Sequence, residues 1–141
     1  MTTETKEKIV DCTVSSDATR LKLIRSIIRD VAEYLDIEKR LVPNLVLAVN
    51  EACMNIIQHA YKNQSDREIG LKVYSIDEGV VFVLRDDAPC VEPAKIMPRD
   101  LSDIRPGGLG LHFINTIMDK IEYQAGQERG NTLVLTKYIQ R

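Results

Sequence analysis

The spacing of apolar residues predicts two helices in the first half of the chain. In the first helix, apolar residues recur at steps of three and four, the helical period: Leu21, Ile24, Ile28, Val31 and Leu35. The polar residues 15–17 offer a cap for its start. A second helix is expected from near Pro43, a residue tolerated in a first turn, to about Tyr61. Its apolar stripe consists of Leu45, Val49, Ala52, Cys53, Ile56 and Ala60.

Strands are predicted where apolar and polar residues alternate instead. A first strand is expected at residues 7–14, and two more at residues 69–76 and 80–85. The last two are joined through Asp77, Glu78 and Gly79, which suit a hairpin turn. The remaining expected elements are a short helix near residues 92–97, a helix at 109–120, and a hairpin of 121–125 and 133–139 that turns through Arg129, Gly130 and Asn131.

This order of elements predicts one domain over residues 1–141, with an α/β (α+β) two-layer sandwich. Hairpins imply antiparallel neighbours, so we expect a mixed, mostly antiparallel sheet. Helices that cover one face of such a sheet bury its apolar side.

Composition argues against several classes of protein, among them nucleic-acid-binding and membrane-spanning proteins. The 141 residues carry a net charge of −2, which gives no electrostatic case for a nucleic acid or a membrane surface as partner. No apolar run approaches the roughly 18 residues of a membrane span, and residues 1–8 lack the apolar core of a signal peptide. Cys12, Cys53 and Cys90 have neither disulfide-framework nor zinc-ligand spacing, which suits a reducing cytoplasm.

Two polar residues of the second helix, Glu51 and Asn55, are candidates for nucleotide chemistry. Their spacing of four places them on one side of the helix, beside the apolar stripe. An amide oxygen is a hard ligand for Mg²⁺, and a carboxylate can accept a proton. Taken alone, the pair is also what the polar edge of an ordinary helix presents.

Asp86 ends a predicted strand and leads into Ala88 and Pro89. A carboxylate in that place can accept a hydrogen bond from an exocyclic amine such as that of adenine. Aspartate is equally common in simple turns.

Glycines lead into the predicted helix at residues 109–120, at Gly107, Gly108 and Gly110. They let the backbone approach a ligand closely, and a helix N-terminus presents free N–H groups to phosphate. Arg105, just before them, can reach a terminal phosphate or remain solvated. A flexible loop would contain the same glycines, and the segment is not a P-loop because no Gly-Lys-Ser/Thr follows.

In combination, these segments resemble the GHKL ATPases. Residues 50–61 resemble the N-box of that superfamily, and their ending His59, Ala60 and Tyr61 is most similar to the branch of anti-sigma-factor serine kinases. Residues 86–93 are similar to that branch's Asp-x-Gly-x-Pro-Phe-Asp-Pro box, residues 107–111 and 117–119 to its lid glycines and the helix after them, and residues 130–132 to its closing Gly-Thr element. The match covers roughly residues 20–139 and implies a Bergerat-type ATP-binding fold.

The resemblance implies ATP and Mg²⁺ as cofactors and a role for each matching residue. Asn55 would coordinate the Mg²⁺ that bridges the phosphates, and Glu51 would be the base or orienting carboxylate. Asp86 would bind the adenine amine beside Ala88, and Thr132 would help to hold adenine. The lid that wraps the phosphates would comprise Gly107, Gly108, Leu109 and Gly110, with Arg105 before it.

The function implied is phosphorylation of a Ser or Thr on an anti-anti-sigma (STAS-type) partner, coupled to sequestering a sigma factor. A cytoplasmic homodimer without direct nucleic-acid or membrane contact is expected. Ala88 replaces the family's Gly, and Val91 and Glu92 replace its Phe and Asp, which leaves open a regulatory module that binds ATP without transferring phosphate. The catalytic domain of a histidine kinase is a third reading, disfavoured because no upstream helix carries a phospho-accepting His.

Overall fold

The strands pair into one sheet in the computed structural model, which describes residues 5–89, 108–126 and 129–139. The strands are β1 (Lys6–Ser15), β2 (Glu68–Ile76), β3 (Gly79–Pro89), β4 (Lys120–Ala125) and β5 (Arg129–Tyr138). Their order across the sheet is β1-β2-β3-β5-β4, and all of these neighbours pair antiparallel. The last strand in the chain therefore lies inside the sheet, between β3 and β4.

Within the described residues, three α-helices accompany this sheet: α1 (Leu21–Tyr34), α2 (Val42–Asn55) and α3 (Gly108–Ile117). Asp17 caps the entry to α1, because its carboxylate accepts a hydrogen bond of 2.9 Å from the Thr19 backbone N–H. Short 3-10 turns at Ala18–Arg20 and Lys39–Leu41 lead into α1 and α2, and a π turn at Ile56–Ala60 continues α2.

One face of the sheet and the helices enclose the core. Along β3, Phe82 and Leu84 are buried with Ala88 in a cluster that also contains the apolar residues of α1 and α2. Burial also raises the pKa of the free Cys53 thiol to about 12, so this thiol stays protonated. The predicted two-layer sandwich is confirmed, and the described pairings make its sheet antiparallel.

The helical run Lys39–Ala60 is 22 residues long and contains an 18-residue window with a mean hydropathy of 1.2, so by length and composition alone it meets the requirement for a membrane span. Its apolar residues nevertheless face the core: Leu45, Val46, Ala48, Val49, Ala52 and Cys53 are buried. This run is the central helix of the sandwich.

Two helix ends differ from the predicted ones. The α-helical hydrogen bonding of α2 ends at Asn55 rather than near Tyr61, because residues 56–60 adopt the wider π turn. Helix α3 ends at Ile117 rather than at residue 120. The Asp119 N–H bonds to the Thr136 carbonyl of β5 at 2.9 Å, and the Lys137 ammonium donates to the Ile117 carbonyl at 3.0 Å.

The second hairpin also differs, because the residues predicted as its turn, Arg129, Gly130 and Asn131, all belong to β5. Asn131 pairs with Asp86 of β3, whereas Arg129 pairs with Pro89, so β3 bulges opposite Gly130. Gly130 has a φ of 93°, which favours glycine at this bulge. Strand β3 accordingly continues to Pro89, four residues beyond the predicted end at residue 85. The helix expected near residues 92–97 lies outside the described residues.

Candidate functional site

Helix α2 contacts β3 on one side and α3 on the other, and it carries Glu51 and Asn55 in its last two turns. Both side chains are partly buried. The Asn55 amide nitrogen is shielded from solvent and has no hydrogen-bond partner among the described residues. A buried donor without a partner costs about 1–3 kcal/mol, so the position favours a group that accepts a hydrogen bond from Asn55.

A hydrogen bond between α1 and α2 orients this part of α2. The Arg25 guanidinium of α1 donates to the Asn50 side-chain oxygen at 3.0 Å, in a partly buried position next to Glu51. The bond fixes the rotation of α2 against α1 at the turn that presents the Glu51 carboxylate.

Asp86 lies on the helix-facing side of β3, two residues beyond the buried Leu84, and only 6% of it is exposed. Its Oδ1 accepts hydrogen bonds from the Ala88 N–H at 2.9 Å and from the Asn131 amide at 2.8 Å. Burial raises the pKa of the Asp86 carboxyl, although these donors act in the opposite direction. The carboxylate is therefore held in place by protein donors in a poorly solvated position.

Sequence reasoning missed the contact between Asn131 and Asp86, because Gly-Asn was interpreted as turn chemistry. Residues directly opposite in an antiparallel pair share a face, and Asn131 is opposite Asp86, whereas Thr132 is opposite Arg85. The structure thus brings the Asn131 side chain to Asp86 and directs the Thr132 side chain to the other face of the sheet.

Ala88 adopts ordinary backbone geometry at the position where the family pattern has Gly. Its φ is not positive, its side chain is buried at 1% exposure, and its N–H bonds to Asp86. The backbone conformation at this position therefore does not require glycine.

The Tyr61 hydroxyl joins the end of the α2 segment to the strand that carries Asp86. It donates to the Glu68 carbonyl of β2 and accepts a hydrogen bond of 2.7 Å from the Asp87 N–H of β3. The Asp87 carbonyl in turn accepts hydrogen bonds from the Arg129 and Arg67 guanidinium groups. These contacts anchor the strand next to Asp86.

Tyr61→Phe is expected to lower the free energy of unfolding by about 1–3 kcal/mol, because it leaves the Asp87 N–H and the Glu68 carbonyl without their partner. Urea unfolding measures the change. Tyr34→Phe is the matched control, since Tyr34 is 72% exposed and should change stability by no more than about 0.5 kcal/mol. Equal effects of the two substitutions would show that solvent replaces both bonds at Tyr61.

Of the expected lid, the structure describes the backbone of Gly108, Leu109 and Gly110, which form the first turn of α3. Arg105 and Gly107 lie outside the described residues. The backbone N–H groups of a first helical turn lack intrahelical partners, so this turn can donate to an anion.

These elements can serve a nucleotide without a preformed metal site. No group of three or more His, Cys, Asp and Glu side chains within residues 5–89, 108–126 and 129–139 is arranged to hold a metal ion. Mg²⁺ commonly binds through one or two protein oxygens together with substrate phosphates and water. The single amide of Asn55 is compatible with that mode of binding.

Comparison with known proteins shows the family of the chain. The family described as "Histidine kinase-like ATPase domain" matches residues 14–137. Proteins named "Serine-protein kinase RsbW" from Bacillus cereus (strain B4264) and Bacillus anthracis are each 32% identical over 140 residues, which cover 94% of this chain and 86% of theirs. A solved histidine kinase domain from the Erythrobacter litoralis EL346 blue-light activated histidine kinase aligns with a TM-score of 0.49 and 11% identity, over 86% of this chain and 61% of that one. The chain belongs to the histidine kinase-like ATPase domain family, in its branch of anti-sigma serine kinases.

Proposed function

We propose that this chain is an ATP-dependent protein kinase that phosphorylates a Ser or Thr on an anti-anti-sigma partner of the STAS type and that sequesters a sigma factor. It would work in the cytoplasm as a homodimeric single domain. The observation that carries the proposal is the buried Asn55 amide, which lacks a partner among the described residues and lies one helical turn from Glu51.

Asn55 fits a Mg–ATP ligand. Its amide oxygen can bind Mg²⁺, and its amide nitrogen, which has no partner within residues 5–89, 108–126 and 129–139, can donate to a phosphate oxygen. Mg²⁺ bound to the phosphates neutralises charge that develops during phosphoryl transfer. The first turn of α3 adds backbone N–H donors for the phosphates, and Asp86 supplies the acceptor for the adenine amine.

Glu51 is proposed as the residue that accepts the proton of the attacking hydroxyl. The hydroxyl oxygen of the partner bonds to the γ-phosphorus as the bond from phosphorus to the leaving oxygen breaks, and ADP departs. The hydroxyl proton passes to the Glu51 carboxylate. The Arg25–Asn50 hydrogen bond holds the turn of α2 from which Glu51 acts.

The regulatory module without phosphate transfer is less favoured. That reading depends on the departures at Ala88, Val91 and Glu92. Ala88 occupies an ordinary strand conformation and donates to Asp86, which supports an adenine pocket compatible with alanine. Val91 and Glu92 lie outside the described residues.

The test is transfer of label from γ-labelled ATP, with Mg²⁺, to a candidate STAS-type partner. We expect acid-stable label on the partner, because a phosphate ester on Ser or Thr survives acid. Acid-labile label would instead indicate a phosphoramidate on His and the histidine-kinase reading. Tight ATP binding without transfer to any of the partners tested would favour the regulatory module.

A further inference from the structure

A chain of side-chain hydrogen bonds leads from the edge of the sheet to Asp86. The Tyr123 hydroxyl of the edge strand β4 donates to the Asn131 side-chain oxygen. The Asn131 amide nitrogen then donates to Asp86 Oδ1 at 2.8 Å. All donors in this chain, which we call the Tyr123–Asn131–Asp86 relay, point toward the carboxylate.

The three residues of the relay lie on the neighbouring strands β4, β5 and β3. Asn131 and Asp86 are only 4% and 6% exposed and lie directly opposite each other on β5 and β3. Tyr123 pairs with Leu133, two residues from Asn131 on the same face. A buried polar pair is stable only when its hydrogen bonds are satisfied, so the positions of these side chains are strongly constrained.

The direction of the Asn131 amide follows from its two neighbours. With the amide oxygen toward Tyr123, the nitrogen faces the carboxylate and donates to it. The reversed amide would place two acceptor oxygens, those of Asn131 and Asp86, against each other. The Pro89 carbonyl, which accepts from the same amide nitrogen at 3.3 Å, favours this orientation as well. The hydrogen bond from the Tyr123 hydroxyl to the amide oxygen stabilises it further.

We propose that Asn131 and Tyr123 are positioning residues that determine nucleotide-base selectivity, because they hold the Asp86 carboxylate as an acceptor for an exocyclic amine. The inference rests on the proposed ATP site. The Ala88 N–H and the Asn131 amide nitrogen both donate to Oδ1, at 2.9 and 2.8 Å. A carboxylate fixed in this way accepts from the amine of adenine and repels the carbonyl that hypoxanthine carries at that place. A freely rotating carboxylate would discriminate less.

The experiment compares ATP with inosine triphosphate, which has a carbonyl in place of the adenine amine. Calorimetry with Mg²⁺ gives the ratio of the two Kd values for the parent protein, Tyr123→Phe and Asn131→Leu. We expect the parent to prefer ATP, Tyr123→Phe to reduce the preference by about threefold, and Asn131→Leu by about tenfold, as expected for a neutral and a charge-assisted hydrogen bond. Tyr138→Phe is the matched control, since Tyr138 of β5 is 46% exposed.

The ratio of the two Kd values distinguishes a role in positioning Asp86 from a purely structural role in the fold. A purely structural role would weaken both nucleotides equally and leave the ratio at the parent value, which would overturn the inference. If Asn131→Leu does not fold, the Kd ratio of Tyr123→Phe tests the inference, because this substitution removes only one hydroxyl. A parent protein that binds neither nucleotide, or both equally, would contradict the proposed adenine site itself. A selective parent with unchanged variants would overturn only the role of the relay.

Discussion

Glu51→Ala is expected to lower kcat for phosphoryl transfer by roughly 10²–10⁴-fold, the usual contribution of a positioned general base. The Kd for ATP should change little, because the role proposed for the carboxylate is to accept the hydroxyl proton and not to bind the nucleotide. A residue that acts mainly in the transition state lowers kcat and kcat/KM together. Single-turnover transfer to the partner, together with calorimetry for ATP, measures the two quantities.

Two comparisons make this result specific. Asn55→Ala should instead remove Mg²⁺-dependent ATP binding, because it deletes the proposed metal ligand. Glu78→Ala is the matched glutamate control, since Glu78 is an exposed residue of the β2–β3 turn and should leave kcat unchanged. Full activity of Glu51→Ala would mean that the Glu51 carboxylate is structural.

Asp86→Asn is expected to weaken ATP and ADP alike by about 10- to 100-fold, which corresponds to about 1.5–3 kcal/mol for a charge-assisted hydrogen bond. The new amide oxygen can still accept from the Ala88 N–H and from Asn131. The new amide nitrogen, however, presents a donor to the adenine amine, which is also a donor. GTP, with a carbonyl at that place, should bind the parent poorly, and equal ATP and GTP affinities would contradict the assignment.

The free energy of unfolding of Asp86→Asn shows whether a loss of ATP affinity reflects a folding defect. Burial raises the pKa of Asp86 above the value in the unfolded chain, so ionisation destabilises the fold as pH rises through that raised pKa. The amide does not ionise, so Asp86→Asn should be at least as stable as the parent at pH 7. Asp87→Asn, at the neighbouring exposed carboxylate, should keep its ATP affinity. Loss of both ATP affinity and stability in Asp86→Asn would point to a folding defect.

The elements with regular apolar spacing could be predicted from sequence. The stripe from Leu21 to Val31 defines α1, because each of its residues is buried on one face. The alternation through residues 69–73 likewise identifies β2, and the apolar run of residues 80–84 identifies β3. In α1 and β2 one face is buried and the other is not, so the spacing of apolar residues reveals the type of element.

What could not be predicted depends on partners that are distant in the chain. Gly130 and Asn131 have the local chemistry of a turn, yet pairing with β3 makes them strand residues. For the same reason, similarity to a Gly-Thr element directs attention to Thr132, whereas strand register brings the Asn131 side chain to Asp86. The π turn after Asn55 leads to Tyr61, whose hydroxyl bonds to β2 and β3. Nothing in local spacing indicates that contact.

The inside position of β5 has a consequence for synthesis of the protein. Asp86 and Asn131 are separated by 45 residues, so a ribosome working at roughly 5–20 residues per second needs about 2–9 s between them. Until β5 has emerged, β3 and β4 have no strand between them, and Asp86 lacks its donor from Asn131. A nucleotide stabilises only the species that binds it. On this basis, ATP would stabilise the finished domain and not its nascent fragments.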